Sequence, residues 1–282
     1  MRGDKGEEAF FFKTMNIEQR FRALLPEARR IIVKIGTRVI AQPSGHPDMP
    51  PLKSLVKQIS ALHRQGYEIL VVSSGAIGAG VDALKLKERP KAVADLQMCA
   101  AVGQARLMTN YATLFGAQKI TIGQVLLTHA DFQHRIRYAN AKRTMEHMMK
   151  MDVIPIINEN DVVADEEIKA DLSLGDNDYM AALVVKLVRA DLLIILSTVD
   201  GVLDGKNKRI PYVDKVSDVM KFVSAGKGSN LSKGGMDSKL NAAQIATKTG
   251  CGVVIAGGRN ANVLTDIMSG KDTGTLILSN AL

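Results

Sequence analysis

The densest chemistry in this sequence lies in two polar knots, Asn158-Glu159-Asn160-Asp161 and Ser173-Leu174-Gly175-Asp176-Asn177-Asp178. Loops that follow strands are where α/β proteins gather their ligands. Asn158, Asp161, Asp176, Asn177 and Asp178 supply carboxylate acceptors and amide donors able to grip the ammonium or carboxylate of a small molecule. The same residue types also favour Asx turns and helix N-caps. Two lysines add positive charge. Lys34 stands in the otherwise apolar run Ile31-Ile32-Val33-Lys34-Ile35, where an ammonium needs an anionic partner. It can hold phosphate oxygens, or snorkel to solvent from the strand end. Lys239 closes Lys233-Gly234-Gly235-Met236-Asp237-Ser238-Lys239, where its charge and the free amides of a helix start can together meet a nucleotide's phosphates. The combination suits transfer of a phosphoryl group onto a small acid.

A further candidate is Ser73-Ser74-Gly75-Ala76-Ile77-Gly78-Ala79-Gly80, which places hydroxyls and small residues where helix-start amides are free to meet an anion. A tight strand-to-helix turn needing glycines for packing reads equally well. No Gly-Lys-Ser or Gly-Lys-Thr follows, so this is not a Walker-type loop.

The elements that must position these groups alternate between strand and helix, which predicts a mainly parallel sheet covered by helices on both faces. Strands are expected at 31–35, 69–72, 120–127, 153–157, 192–197, 253–256 and 275–278. Helices are expected at 52–65, where Leu52, Leu55, Val56, Ile59 and Leu62 keep a helical period, and at 91–114, 138–151, 178–188 and 236–249. Residues 202–213 read as hairpin-like. Pro43, Gly45, Pro47, Pro50 and Pro51 mark a loop. The stripe Met145, Met148, Met149 and Met151 suits core filling, with a dimer contact as the other use.

With 282 residues and 46% hydrophobic content the chain can bury a substantial core. No apolar run reaches the roughly 18–20 residues of a membrane span. Two cysteines, Cys99 and Cys251, fall outside any metal-ligand spacing, and the five histidines show none either. A reducing cytoplasm fits. The net charge of +8 is spread through helices with few aromatics to stack bases, which suits attraction of anionic small substrates better than nucleic acid. The first residues lack a secretory cleavage pattern, and residues 1–28 are expected to form a disordered extension.

These segments, in this order, resemble the amino acid kinase family, and within it the members that phosphorylate the side-chain carboxylate of glutamate. The motifs are Val33-Lys34-Ile35-Gly36-Thr37, Ser73-Ser74-Gly75-Ala76-Ile77, Ala101-Val102-Gly103-Gln104-Ala105-Arg106-Leu107, Gly123 to Thr128, Ile157 to Asp161, Gly175 to Asp178, and Gly234-Gly235-Met236 with Lys239. The resemblance implies a three-layer αβα sandwich over 29–282, an N-terminal half binding L-glutamate and a C-terminal half binding ATP with Mg²⁺. It implies that Ser74, Gly75, Ala76, Asn158, Asp161, Asp176 and Asn177 hold glutamate. Lys34, Gly36, Ser197, Thr198, Lys233, Gly234, Gly235, Met236 and Lys239 would then hold ATP, while Asp178 positions the lysines and no residue is assigned to a metal. It further implies a homo-oligomer and feedback inhibition by L-proline. The PUA domain of many bacterial members is not expected here. Thr198, Leu203 and Lys233 depart from the family's usual aspartate, tyrosine and small hydroxyl residue, and bear on nucleotide affinity. Rival readings are another small-acid or carbamate kinase of the same fold, a non-catalytic nucleotide sensor, and a basic RNA-binding module.

Overall fold

Each strand of the first βα pair divides its side chains between two cores, because successive residues of a strand face opposite sides of the sheet. In β1 (Arg30–Ile35), Ile31, Val33 and Ile35 enter one core with α2 (Met49–Arg64), while Ile32 enters the other. Lys34 shares the parity of Ile32 and therefore faces that second side. The computed structural model describes residues 15–42, 46–164, 177–224 and 235–279.

After β2 (Glu68–Val72) come α3 (Ala76–Ala83), α4 (Val93–Gly116), β3 (Thr121–Leu127), α5 (His129–Gln133), α6 (Arg135–Lys150) and β4 (Val153–Glu159). The second half holds α7 (Asn177–Val188), β5 (Leu192–Ser197), β6 (Tyr212–Val213), α8 (Val216–Ser224), α9 (Met236–Thr247), β7 (Gly252–Gly257), α10 (Val263–Met268) and β8 (Thr275–Ile277). The eight strands form one sheet in the order β3-β4-β2-β1-β5-β7-β8-β6. All neighbours are parallel except β7 and β8. Helices α2, α4 and α10 pack on one face, and α7, α8, α9 and Met145 of α6 on the other, completing the expected αβα layers. Burial on both faces explains why β1, β2 and β5 read as near-continuous apolar runs.

β1 is flanked by β2 and β5, so the chain leaves it to one side and later returns to the other. Such a reversal opens a crevice at the carboxyl ends of the strands. Lys34, Ser73-Ser74 and Ser197 all stand at those ends.

Two expectations need correction. Pro50 and Pro51 are not loop residues but sit in the first turn of α2, where a missing amide N–H is harmless and the fixed φ suits the helix. The disordered extension expected over 1–28 does not reach residue 28. Residues Ile17–Leu24 form α1, whose N-cap Asn16 makes a full capping box with Gln19, followed by a 3-10 turn at Leu25–Glu27. The physical reason is Arg22, buried although charged. Its guanidinium donates to the carbonyls of Lys271 (3.1 Å), Thr273 (3.1 Å), Pro211 (2.8 Å) and Gly274 (3.2 Å), and pairs with Glu18 (2.8 Å) and Asp272 (3.0 Å). Residues 1–14 lie outside the described residues. The methionine stripe divides: Met145 is fully buried, Met149 packs against the same core, and Met151 is exposed. No helix among the described residues is long and apolar enough to cross a membrane.

Replacing Arg22 by Ala leaves those carbonyls and Glu18 without their donor. Denaturant titration should show a loss of about 2–4 kcal/mol, with activity per folded molecule retained; an unchanged midpoint would contradict the anchoring role.

Candidate active site

Lys34 and Lys239 meet on a single carboxylate. Lys34 Nζ lies 2.6 Å from Asp178 Oδ1 and Lys239 Nζ donates to Asp178 Oδ2 at 2.9 Å. Ser238 Oγ adds a donor to Oδ2 at 3.2 Å. Asp178 is fully buried, and both lysines are nearly so, at 1% and 5% exposure. Three residues far apart in sequence thus form one buried ion triad with an excess of one positive charge.

Each member is placed by its element. Lys34 leaves the end of β1 on the α7 side. Asp178 sits in the first turn of α7, where a carboxylate is favoured by the helix dipole. Lys239 sits in the first turn of α9, the wrong end of a helix for a cation, so its charge depends on Asp178 for compensation. Gly235 caps α9 with extended backbone and no side-chain hydrogen bond, leaving first-turn amides for other acceptors. A Cβ at Gly36 would lie 3.2 Å from the Leu196 carbonyl and 3.7 Å from Lys34 Nζ. The glycine keeps the space beside that ammonium clear.

Asn177, one residue before Asp178, turns toward a second cluster. Its Nδ2 donates to the Ser73 carbonyl in a short contact, to Ser74 Oγ at 2.9 Å and to Asn158 Oδ1 at 2.8 Å. Asn158 Nδ2 donates in turn to Gln104 Oε1 at 2.8 Å. Ser73 Oγ lies 2.9 Å from the hydroxyl of Tyr111. Burial pushes the Tyr111 phenol up to about 12 against the partial relief of that hydrogen bond, so it stays neutral and serves as a fixed strut. Gly75, the N-cap of α3, adopts φ 101°, a left-handed conformation that glycine tolerates best. Its cap makes no side-chain hydrogen bond, so the first-turn amides of α3 have no capping side chain and suit an anionic acceptor.

Helix α4 is pressed against α3. A Cβ at Gly103 would sit 1.8 Å from the Ala76 carbonyl oxygen, and one at Gly80 would sit 1.8 Å from the Cys99 carbonyl oxygen, so only glycines permit this crossing. Its Gln104 and Tyr111, seven residues and about two turns apart, share one face. Sequence reasoning placed Ser73 in a candidate anion-binding turn, quoted Gln104 and Ser238 inside motifs without a site role, and did not raise Tyr111. The polar residues Gln104 and Tyr111 at helical spacing on an otherwise apolar face were the available signal.

Of the other expected residues, Ser197 is half-buried at the end of β5 and Thr198 is exposed beyond it. Asp161 is half-buried in the turn after Asn160, and Met236 opens α9. Asp176, Lys233 and Gly234 lie outside the described residues.

A family model described as the amino acid kinase family matches residues 29–257, and the chain belongs to that family. More closely, it is 40% identical over 270 residues to a glutamate 5-kinase of Clostridium acetobutylicum, covering 94% of this chain and 98% of that one. A glutamate 5-kinase of Symbiobacterium thermophilum is 42% identical over 261 residues, covering 90% and 98%. These relatives place the chain in the glutamate 5-kinase branch. Among solved structures, the carbamate kinase from Giardia lamblia bound to AMP-PNP shares the fold, with TM-score 0.62 and 18% identity over 90% of this chain and 100% of that one.

Replacing Asp178 by Asn would remove the buried carboxylate that two buried ammonium groups share. Equilibrium unfolding at neutral pH should register a loss of about 3–5 kcal/mol, and a variant as stable as wild type would show that the triad is not the electrostatic unit described.

Proposed function

We propose that this chain transfers the γ-phosphoryl group of ATP to the side-chain carboxylate of L-glutamate, giving L-glutamyl 5-phosphate and ADP, the first step of proline biosynthesis. The observation that carries this reading is the pairing of Lys34 and Lys239 on Asp178, next to Asn177 and its cluster of amides and hydroxyls. One side of the helix start offers excess positive charge for phosphate. The other offers neutral donors and acceptors for an amino acid.

The acceptor carboxylate has an ordinary pKa near 4.3 and is ionised at neutral pH, so the reaction needs no general base. The barrier lies in bringing two anions into line. Alignment and charge neutralisation are then what the protein supplies. In this reading Lys34 and Lys239 bind the migrating phosphoryl, and Asp178 holds both ammonium groups in place. Ser74, Gly75, Ala76, Asn158, Asp161, Asp176 and Asn177 hold glutamate. Gly36, Ser197, Thr198, Lys233, Gly234, Gly235 and Met236 border the nucleotide.

Magnesium fits as an ion carried on the nucleotide. Both oxygens of Asp178 already face ammonium groups, and no group of three ligating side chains occurs among the described residues. A hard cation here would be held chiefly by phosphate oxygens and water, where it would neutralise phosphate charge. A cytoplasmic homo-oligomer inhibited by L-proline completes the proposal.

A coupled ADP-release assay with hydroxylamine trapping of the acyl phosphate tests the reaction. Replacing Lys239 by Met should lower kcat by about 10²–10³, the range for loss of one transition-state charge contact, while the glutamate KM moves far less. ATP binding without glutamate-dependent ADP release would instead mark a nucleotide sensor, and equal losses in kcat and glutamate affinity would remove the transition-state role of Lys239.

A further inference from the structure

We propose that Gln104 of α4 is a specificity-determining residue for the acceptor, donating its Nε2 amide to the α-carboxylate of the amino acid. This rests on the glutamate kinase reading above and adds a residue and a direction of binding to it.

The argument is one of hydrogen-bond polarity. The two ends of a side-chain amide are told apart by their partners. Asn177 is set by a main-chain carbonyl: the oxygen of Ser73 can only accept, so the Asn177 NH₂ must face it. That same NH₂ faces Asn158 at 2.8 Å, which obliges Asn158 to present its oxygen there. The Asn158 NH₂ then points the other way, onto Gln104, whose oxygen must receive it at 2.8 Å. One backbone carbonyl thereby orients three amides in series. The last NH₂, Gln104 Nε2, is left as a donor. It is buried and meets no hydrogen-bond acceptor among the described residues. A buried donor in that state is poised for a ligand oxygen.

Its place says which oxygen. The chain of contacts runs from the lysines through Asp178, then Asn177, Asn158 and Gln104, so Gln104 stands at the end remote from the phosphoryl group. The neighbouring Gly103 abuts the Ala76 carbonyl at the start of α3, where free helix amides also favour an anion. Glutamate carries two carboxylates separated by its side chain. With the γ-carboxylate toward Lys34 and Lys239, the α-carboxylate lies at the Gln104 end.

Gln104→Glu tests this. The variant keeps an oxygen for Asn158 and nearly the same volume, but replaces the donor with a negative charge facing the substrate's own. Steady-state kinetics should show the glutamate KM raised about 10–150-fold, the scale of one hydrogen bond to a charged group, with the ATP KM within about twofold. With L-glutamic acid α-amide as acceptor, which has no α-carboxylate charge, the penalty of the substitution should fall below about threefold, since the charge being repelled is absent. A purely structural role would penalise both acceptors alike, and that result overturns the proposal, as does an unchanged glutamate KM. If Gln104→Glu does not fold, Gln104→Met serves in the same comparison, with a loss of about tenfold for glutamate expected and equal losses for the two acceptors contradicting it. Wild-type protein that releases no ADP with glutamate sinks the reaction itself and this inference with it; wild-type turnover with an unaltered KM in the variant sinks Gln104 alone.

Discussion

The rest of the site depends on a carboxylate shared by two ammonium groups. Asp178 ties together β1, α7 and α9 through Lys34 and Lys239, each of which would be costly to bury alone. Buried ionic clusters contribute little net stability, because desolvation offsets most of the Coulombic gain, and apolar residues of similar volume often serve a core as well. Stability is therefore a poor reason for placing this triad in the crevice. Its value lies in the charge sum: one carboxylate orients two cations without cancelling them, and the surplus faces the region cleared by Gly36. Phosphoryl transfer between two anions needs such a preorganised positive field.

In the proposed reaction, the adjacency of Asn177 and Asp178 links this field to the acceptor. Consecutive residues in the first turn of α7 look in different directions, one into the ion triad and the other into the amide and hydroxyl cluster of Ser73, Ser74 and Asn158. Any movement of the start of α7 shifts both together. In the proposed reaction this one helical turn couples donor and acceptor geometry, the alignment that brings two substrates together. Helix α4 stiffens the acceptor side from behind, with Gly103 against α3 and Tyr111 against Ser73.

Much of this could be read before any coordinates, for identifiable reasons. Uninterrupted apolar runs such as Ile69 to Val72 signal strands buried on both faces, and Lys34 stood out because a charge inside such a run must find a partner. Its partner was less accessible. Asp178 was read as an orienting residue, but only folding places it on both lysines, since residues 34, 178 and 239 have no common sequence neighbourhood. The amide chain from Asn177 to Gln104 was invisible for a related reason: its polarity is set by a backbone carbonyl, and main-chain atoms leave no mark in a sequence. The N-terminal helix was missed because Arg22 resembles a surface charge until the carbonyls of Pro211, Lys271, Thr273 and Gly274 close around it. Pro50 and Pro51 misled in the opposite sense, as breakers that also start helices.

The most direct test of the account is a crystal structure with ADP, L-glutamate and aluminium fluoride, the fluoride standing in for the phosphoryl group in flight. The shared-carboxylate arrangement predicts the fluoride between glutamate and ADP, with both lysine nitrogens at hydrogen-bond distance of about 3 Å and Asp178 still touching each of them. A fluoride beyond the reach of either ammonium group, or an Asp178 side chain withdrawn from both lysines, would contradict it.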